Sequence, residues 1–337
     1  MKKYSIKIKL HFTRRSKYQY KRYPKRISKK TKCHKILDYD TEFDLNPKNI
    51  DILINDVEFL SKKKRFTINF QKLKSFNLGM CLIFTSLLES CKNKKYSLNS
   101  KLMPKDKYIR NMFKQTGIFD ILCNEIIEER PGMLKILKIN LIKDGYNMEK
   151  ILMDIKHNLI EFAIYNLKLQ NSEVIIRKLL KVFMELLVNI AEHARAFGQT
   201  IYLAGEIKGD KLRFAILDKG IGFHNSMEQK NRNVLERIKN HFSKLNYIEL
   251  AFETNNPKYR KYSGEFLMRG NGTRRLKETI NLIKNSKLQI VSKKDYYQLT
   301  SLSKNSIKYE SIKTHDAIGT LIYIELPIRE CEKQWSK

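Results

Sequence analysis

The sequence predicts an α/β (α+β) protein in which a C-terminal α/β sandwich follows a smaller α/β domain. Three observations predict it. Two alternating apolar segments, 200–207 and 211–217, flank Lys208-Gly209-Asp210, the pattern of a β-hairpin. A long amphipathic helix stands before them, with Leu179, Leu180, Phe183, Leu186, Leu187 and Ile190 on one face. Upstream, helical and extended spacings succeed one another as helix, strand, helix, helix, strand. A chain of 337 residues with 42% hydrophobic content has enough apolar material for two cores.

The elements follow in order. Residues 1–36 hold fifteen Lys or Arg up to Lys35 and no acidic residue, so they are expected to form a partly disordered basic arm, with strand-like alternation from Tyr4 to Phe12. The small module is expected over 37–146. Within it, Ile50, Leu53, Ile54 and Val57 share a helical face in 50–60, 65–71 alternates as a strand, and 77–90 is an apolar helix. After a polar stretch around 92–106, a helix is expected over 107–123 with an interruption near Gly117, then a strand over 133–141 after Pro131-Gly132.

A helix over 147–170 links this module to the larger domain at 172–328, where Ser172 is placed to cap the next helix, running to about 196. Beyond the hairpin, 223–269 is long, polar and without an evident core. A helix over 273–284 and strands over 288–292, 306–313 and 320–326 complete the sandwich, leaving 329–337 as a tail.

Composition narrows the function classes. No apolar run approaches the roughly 20 residues that span a bilayer, and the N-terminus lacks the apolar stretch of a signal peptide, so a cytoplasmic protein without membrane attachment is expected. Five scattered cysteines, Cys33, Cys81, Cys91, Cys123 and Cys331, form no Cys-x-x-Cys pair and read as reduced thiols. Cys33-His34 has no second pair to complete a metal site. The basic arm carries nearly half of the net charge of +32, with Tyr4, Tyr18, Tyr20 and Tyr23 interleaved. Nucleic acid is a candidate partner of that arm, because Lys and Arg release counterions from phosphate and tyrosines stack on bases. A general enrichment in Lys, Asn, Ile and Tyr accounts for the charge without any partner.

Four blocks carry chemistry: Glu-Leu-Leu-Val-Asn-Ile-Ala-Glu-His at 185–193, Asp-Lys-Gly-Ile-Gly-Phe at 218–223, Arg-Gly-Asn-Gly-Thr at 269–273, and Gly-Thr at 319–320. Glu185, Asn189 and His193 recur every four residues, which lines three polar groups along one stripe of an otherwise apolar helix. Asp218 closes an apolar strand and is followed by Gly220 and Gly222, residues that let a ligand approach the backbone. Gly270, Asn271 and Gly272 precede a helix starting at Thr273, where backbone amides and the helix dipole favour phosphate.

In order and spacing these blocks resemble the nucleotide-binding boxes of the GHKL ATPases, the Bergerat-fold family that includes gyrase, histidine kinases and anti-sigma serine kinases. The resemblance covers roughly 172–328 and implies ATP and Mg²⁺ as cofactors. It implies that Asp218 accepts the adenine amino group and that Asn189 is the Mg²⁺ ligand. Gly220, Gly222, Gly270, Asn271, Gly272 and Thr273 would shape the base and phosphate sites, and Thr320 would support Asp218. Glu185 takes the place of the carboxylate that orients or deprotonates the attacking group, and His193 lies near the phosphates. The segment 223–269 falls where the family has its ATP lid. Glu192 stands where histidine kinases commonly have Lys or Arg, which tilts the resemblance towards the anti-sigma type.

A weaker resemblance links 66–78 to STAS-like domains, in which a serine at the helix start is phosphorylated. Ser75 lies near that place, and Ser75 or Asn77 acting as a helix cap is the competing reading. The function expected is therefore an ATP/Mg-binding regulatory ATPase or serine protein kinase acting on a protein partner, a homodimer being compatible with it. Two alternatives stay open: a cytosolic histidine kinase, with His157 as the acceptor candidate ahead of His11 and His34, and a nucleotide-gated protein or nucleic-acid binding module with slow ATPase.

Overall fold

The computed structural model describes residues 35–39, 42–61, 66–91, 102–119, 133–140, 200–239, 247–252, 271–301, 308–312 and 318–335, together with His315 and seven single positions between 153 and 186. The basic arm up to 34, Ser172, and almost all of the 147–170 helix lie outside the described residues. Of the latter only Met153 and His157 are seen, both helical.

The N-terminal part runs β1 (Lys35–Asp38), β2 (Glu42–Phe43), α1 (Pro47–Ser61), β3 (Phe66–Asn69), β4 (Ser75–Phe76), α2 (Leu78–Ser90) and α3 (Lys107–Gln115). Strand β1 pairs in parallel with β3, and β2 in parallel with β4. Parallel pairing needs a crossover, which α1 supplies. Asn46 starts α1: its Oδ1 accepts from the Asn49 amide at 2.9 Å, and Pro47 follows at the first helical position, where a missing N–H costs nothing. Helix α2 is capped by Asn77, whose Oδ1 accepts from the Gly79 amide at 2.7 Å. The capping role thus falls to Asn77, while Ser75 lies in β4 opposite Glu42.

The C-terminal part contributes β6 (Thr200–Lys208), β7 (Lys211–Asp218), α4 (Gly222–Lys239), α5 (Tyr247–Phe252), α6 (Asn271–Leu282), β8 (Lys287–Ser292), β9 (Asp295–Thr300), β10 (Lys308–Ser311), β11 (Thr320–Pro327) and α7 (Ile328–Trp335). With β5 (Met133–Asn140) these strands form a seven-stranded antiparallel sheet in the order β10-β9-β8-β11-β7-β6-β5. The fold is mixed, with helices and an antiparallel sheet, in line with the α+β class.

Strand β5 is the edge strand of the larger sheet, although it comes from the segment read as a separate small module. The joining is deeper than one strand. Side chains alternate across a sheet, and the register puts Tyr202, Ala204, Ala215, Leu217, Val291, Tyr296, Leu321 and Tyr323 on one face. All eight belong to the same apolar core as α1, α2 and α3. The described residues of 37–146 and of 172–328 therefore share a core, and those from Lys35 onward belong to one compact unit.

Helix α2 explains the joining. It is buried from Leu78 to Leu88, as expected of a helix that is apolar all round and lies between two layers. A Cβ on Gly79 would come within 3.1 Å of both Leu45 and Leu321, which shows how tightly the helix is held between the module and β11. Beyond α2 an aromatic cluster closes the core, with Phe113 centred 4.9 Å from both Phe70 and Phe76 in edge-to-face contact.

Two sequence expectations are corrected. The segment from 223 onward was read as lacking a core, yet α4 and α5 bury Leu235, Ile238, Tyr247 and Leu250 against Phe223 and Met227. The tail at 329–337 is largely α7, anchored by buried Cys331 and by the Ile328 amide donating to the Asp210 carbonyl at 2.7 Å. Cys81, Cys91 and Cys331 are free thiols, as expected; Cys33 and Cys123 lie outside the described residues. Among the described residues no helix is long and apolar enough to cross a membrane.

Candidate functional site

Strand β7 ends at Asp218, whose side chain lies on the sheet face opposite the shared core. Its register partner on β11 is Thr320, and the register partner of Thr320 on β8 is Ser292. Three polar residues are thus aligned across three adjacent strands at one end of the sheet, and all three are buried. Ser292 Oγ and Thr320 Oγ1 are 3.3 Å apart, within hydrogen-bonding distance.

The chain turns sharply after Asp218. The Gly220 amide donates back to Asp218 Oδ1 at 2.6 Å, and the Gly319 amide donates to the Asp218 backbone carbonyl at 2.9 Å. The space is closed around the carboxylate: a Cβ on Gly319 would stand 2.3 Å from Asp218 Oδ1 and 2.3 Å from the Gly220 nitrogen. Gly222 then opens α4 with φ +75°, and a Cβ there would lie 2.8 Å from Lys293 Cγ. Ser292 ties the new helix to the sheet by accepting from the Phe223 amide at 2.8 Å. Lys293, itself at φ +51°, donates its amide to the Gly319 carbonyl at 3.1 Å.

Electrostatics set Asp218 apart. Burial pushes its carboxyl up to about 7, opposed by the backbone N–H groups of Gly220 and Thr320 and by the Lys293 charge. Its carboxyl thus sits at the end of a strand, beside glycine backbone, with its charged form disfavoured by burial.

A second polar group borders the first. His224 lies on α4 with its ring centred 4.1 Å from that of Tyr247 on α5, and its Nε2 is 3.6 Å from Glu228. Asp295, at the start of β9, is raised by burial, opposed by the Tyr247 amide and by Lys294 and His224. These contacts dock α4 and α5 on the β8–β9 turn, beside Ser292 and Lys293.

The structure brings together Asp218, Gly220, Gly222 and Thr320, four of the residues singled out from sequence. Asn271, Gly272 and Thr273 form the first turn of α6. Glu185, Asn189, His193 and Gly270 lie outside the described residues, so the candidate base and the candidate Mg²⁺ ligand carry no geometry. Among the described residues no group of three His, Cys, Asp or Glu is placed to hold a metal ion. Sequence reasoning missed Ser292 and Lys293, which carry no motif and join the group only because β8 pairs with β11. The sequence supplied both strands, over 288–292 and 320–326, but no local signal that they pair.

As an acceptor for an adenine amino group the Asp218 group fits: a buried carboxylate held by two backbone donors, with no side chain on the glycines that flank it. Searches of protein-family models, curated proteins and solved structures found no match to this chain.

Proposed function

We propose that the chain binds Mg-ATP in its C-terminal half and acts as a regulatory ATPase or serine protein kinase of the GHKL, Bergerat-fold type. The observation that carries the reading is Asp218, buried at a strand end among Gly220, Gly319 and Thr320. The resemblance pairs an adenine-binding Asp with a closing Gly-Thr, and here those residues are cross-strand neighbours although a hundred residues separate them in sequence. That juxtaposition is what the resemblance calls for, and it supports the reading.

In this reading Asp218 accepts the adenine amino hydrogen, and guanine, which presents a carbonyl at that place, is rejected because two acceptors would face each other. The first turn of α6, at Asn271–Thr273, would receive phosphate at a helix N-terminus. Mg²⁺, held by Asn189, would neutralise phosphate charge during transfer. Glu185, four residues earlier, would orient or deprotonate the attacking group.

Calorimetric titration of the full chain with Mg-ATP and Mg-GTP tests the adenine assignment. Asp218→Asn is expected to weaken ATP binding by about 10- to 100-fold, the value of a hydrogen bond to a charged group. Equal binding of ATP by the variant and the wild type would sink the assignment. Glu185→Ala is expected to keep binding and lose turnover, whether the phosphate goes to water or to a partner protein.

A further inference from the structure

Lys219 stands between the two residues that make the turn, Asp218 and Gly220. Because side chains alternate along a strand, it points to the opposite face of the sheet from Asp218, towards α2. There its Nζ lies 3.8 Å from Glu89 Oε2 and 5.3 Å from the centre of the Tyr202 ring. The Tyr202 hydroxyl donates to the same Glu89 oxygen. Glu89 sits in the last turn of α2, where the helix dipole disfavours a carboxylate and a neighbouring cation offsets the cost. Both side chains are largely shielded, Lys219 at 20% and Glu89 at 9% exposure, so solvent screens the pair less than it would a surface pair.

The geometry points to Glu89 as a positioning residue: through Lys219 it holds the Asp218–Gly220 turn, and so couples the N-terminal module to the adenine site. The peptide bond that Lys219 shares with Gly220 carries the N–H that donates to Asp218 Oδ1. An anchor on the Lys219 side chain therefore fixes the direction of that donor. The anchor follows directly on the stretch of α2 from Leu78 to Leu88 that is buried between the aromatic cluster and the sheet. Any event that shifts α2 along the sheet moves Glu89, then Lys219, then the donor to Asp218, and changes affinity for nucleotide. The last step rests on the adenine assignment above; the positioning does not.

Two readouts separate the two claims. Among the thirteen glycines only Gly209 and Gly220 follow a lysine. Carbonyl-¹³C lysine combined with ¹⁵N glycine therefore isolates two amide resonances in the full chain, and Gly209, at the far end of the same hairpin, is the control. In isosteric Glu89→Gln the Gly220 resonance is expected to move while Gly209 stays, and Glu89→Asp is expected to restore part of the shift. An unmoved Gly220, or equal movement of both, overturns the positioning role. On the nucleotide side, Glu89→Gln and Lys219→Gln are each expected to weaken Mg-ATP binding about fivefold or more, the lower edge of ordinary coupling between sites. The double variant is expected to be no weaker than either single one. Additive losses would mean that the two residues act separately. A wild-type chain that does not bind Mg-ATP removes the adenine assignment, and Gly220 then decides the positioning alone.

Discussion

The two faces of the sheet are built on opposite principles. One face meets α2 and the aromatic cluster through tyrosine, alanine, leucine and valine, and carries a charged cluster at the end nearest the β6–β7 turn. There Arg213 Nε bonds to Glu325 at 2.8 Å, Arg213 Nη1 lies 3.3 Å from Glu206, Lys211 bonds to Glu325 at 2.7 Å, and Tyr108 donates to Glu206. Burial pushes Glu325 up, but the Lys211 hydrogen bond and the charges of Arg213 and Lys211 outweigh it and hold the group below its usual value. Both carboxylates there are answered by cations. On the opposite face Asp218 is answered mainly by backbone N–H groups and stays raised to about 7. The first arrangement keeps Glu325 ionised; the second leaves a carboxyl whose ionisation burial makes unfavourable.

This contrast is open to attack in order of effect. Phe113→Ala removes an aromatic ring from the shared core and is expected to cost about 3–5 kcal/mol of stability by chemical denaturation. If the core were not shared, the C-terminal part would keep its own transition, and a two-step curve with one unchanged midpoint would break the comparison. Gly319→Ala forces a methyl against Asp218 and the Gly220 backbone, neither of which can swing aside, and about 3 kcal/mol is expected, the upper range for overpacking. A variant as stable as the wild type would show that the turn is not closed.

Asp218→Asn tests the cost of the buried acid. The folded value of about 7 lies above the ordinary carboxylate value of 3.8, so the folded state holds the proton more tightly than the unfolded one. The stability penalty is absent below pH 3.8, grows as pH rises between 3.8 and about 7, and is complete above. The variant is therefore expected to be more stable than the wild type at pH 8, by about 2–4 kcal/mol, and no more stable near pH 4. An Asn variant less stable at both pH values would place Asp218 with the charges that are answered.

Long periodic segments were legible from sequence. The hairpin of β6 and β7, the apolar run of α2 and the strand β5 each carry a pattern that local chemistry enforces. The short strands β1, β2 and β4 were not legible, because two to four residues carry too little periodicity and are fixed by their partners. Helix α4 was overlooked because only Phe223, Met227, Leu235 and Ile238 mark its buried face among polar residues, and Tyr247 and Leu250 of α5 complete that face from another element. In the candidate site, Asp218 with its glycines and Thr320 stood out by motif. Ser292, Lys293 and the Lys219–Glu89 pair did not, because no local rule links residues that lie dozens to more than a hundred positions apart.

By itself, the sequence determined which segments could be helix or strand and which residues resemble a nucleotide-binding set, because periodicity and motif are properties of neighbouring residues. Only the tertiary structure decided that the two halves share one core, that Asp218 is buried deeply enough to be raised, and that Glu89 reaches the turn beside it. Burial and cross-strand register depend on what packs against a residue, and for this chain the partners come from the far side of the sequence.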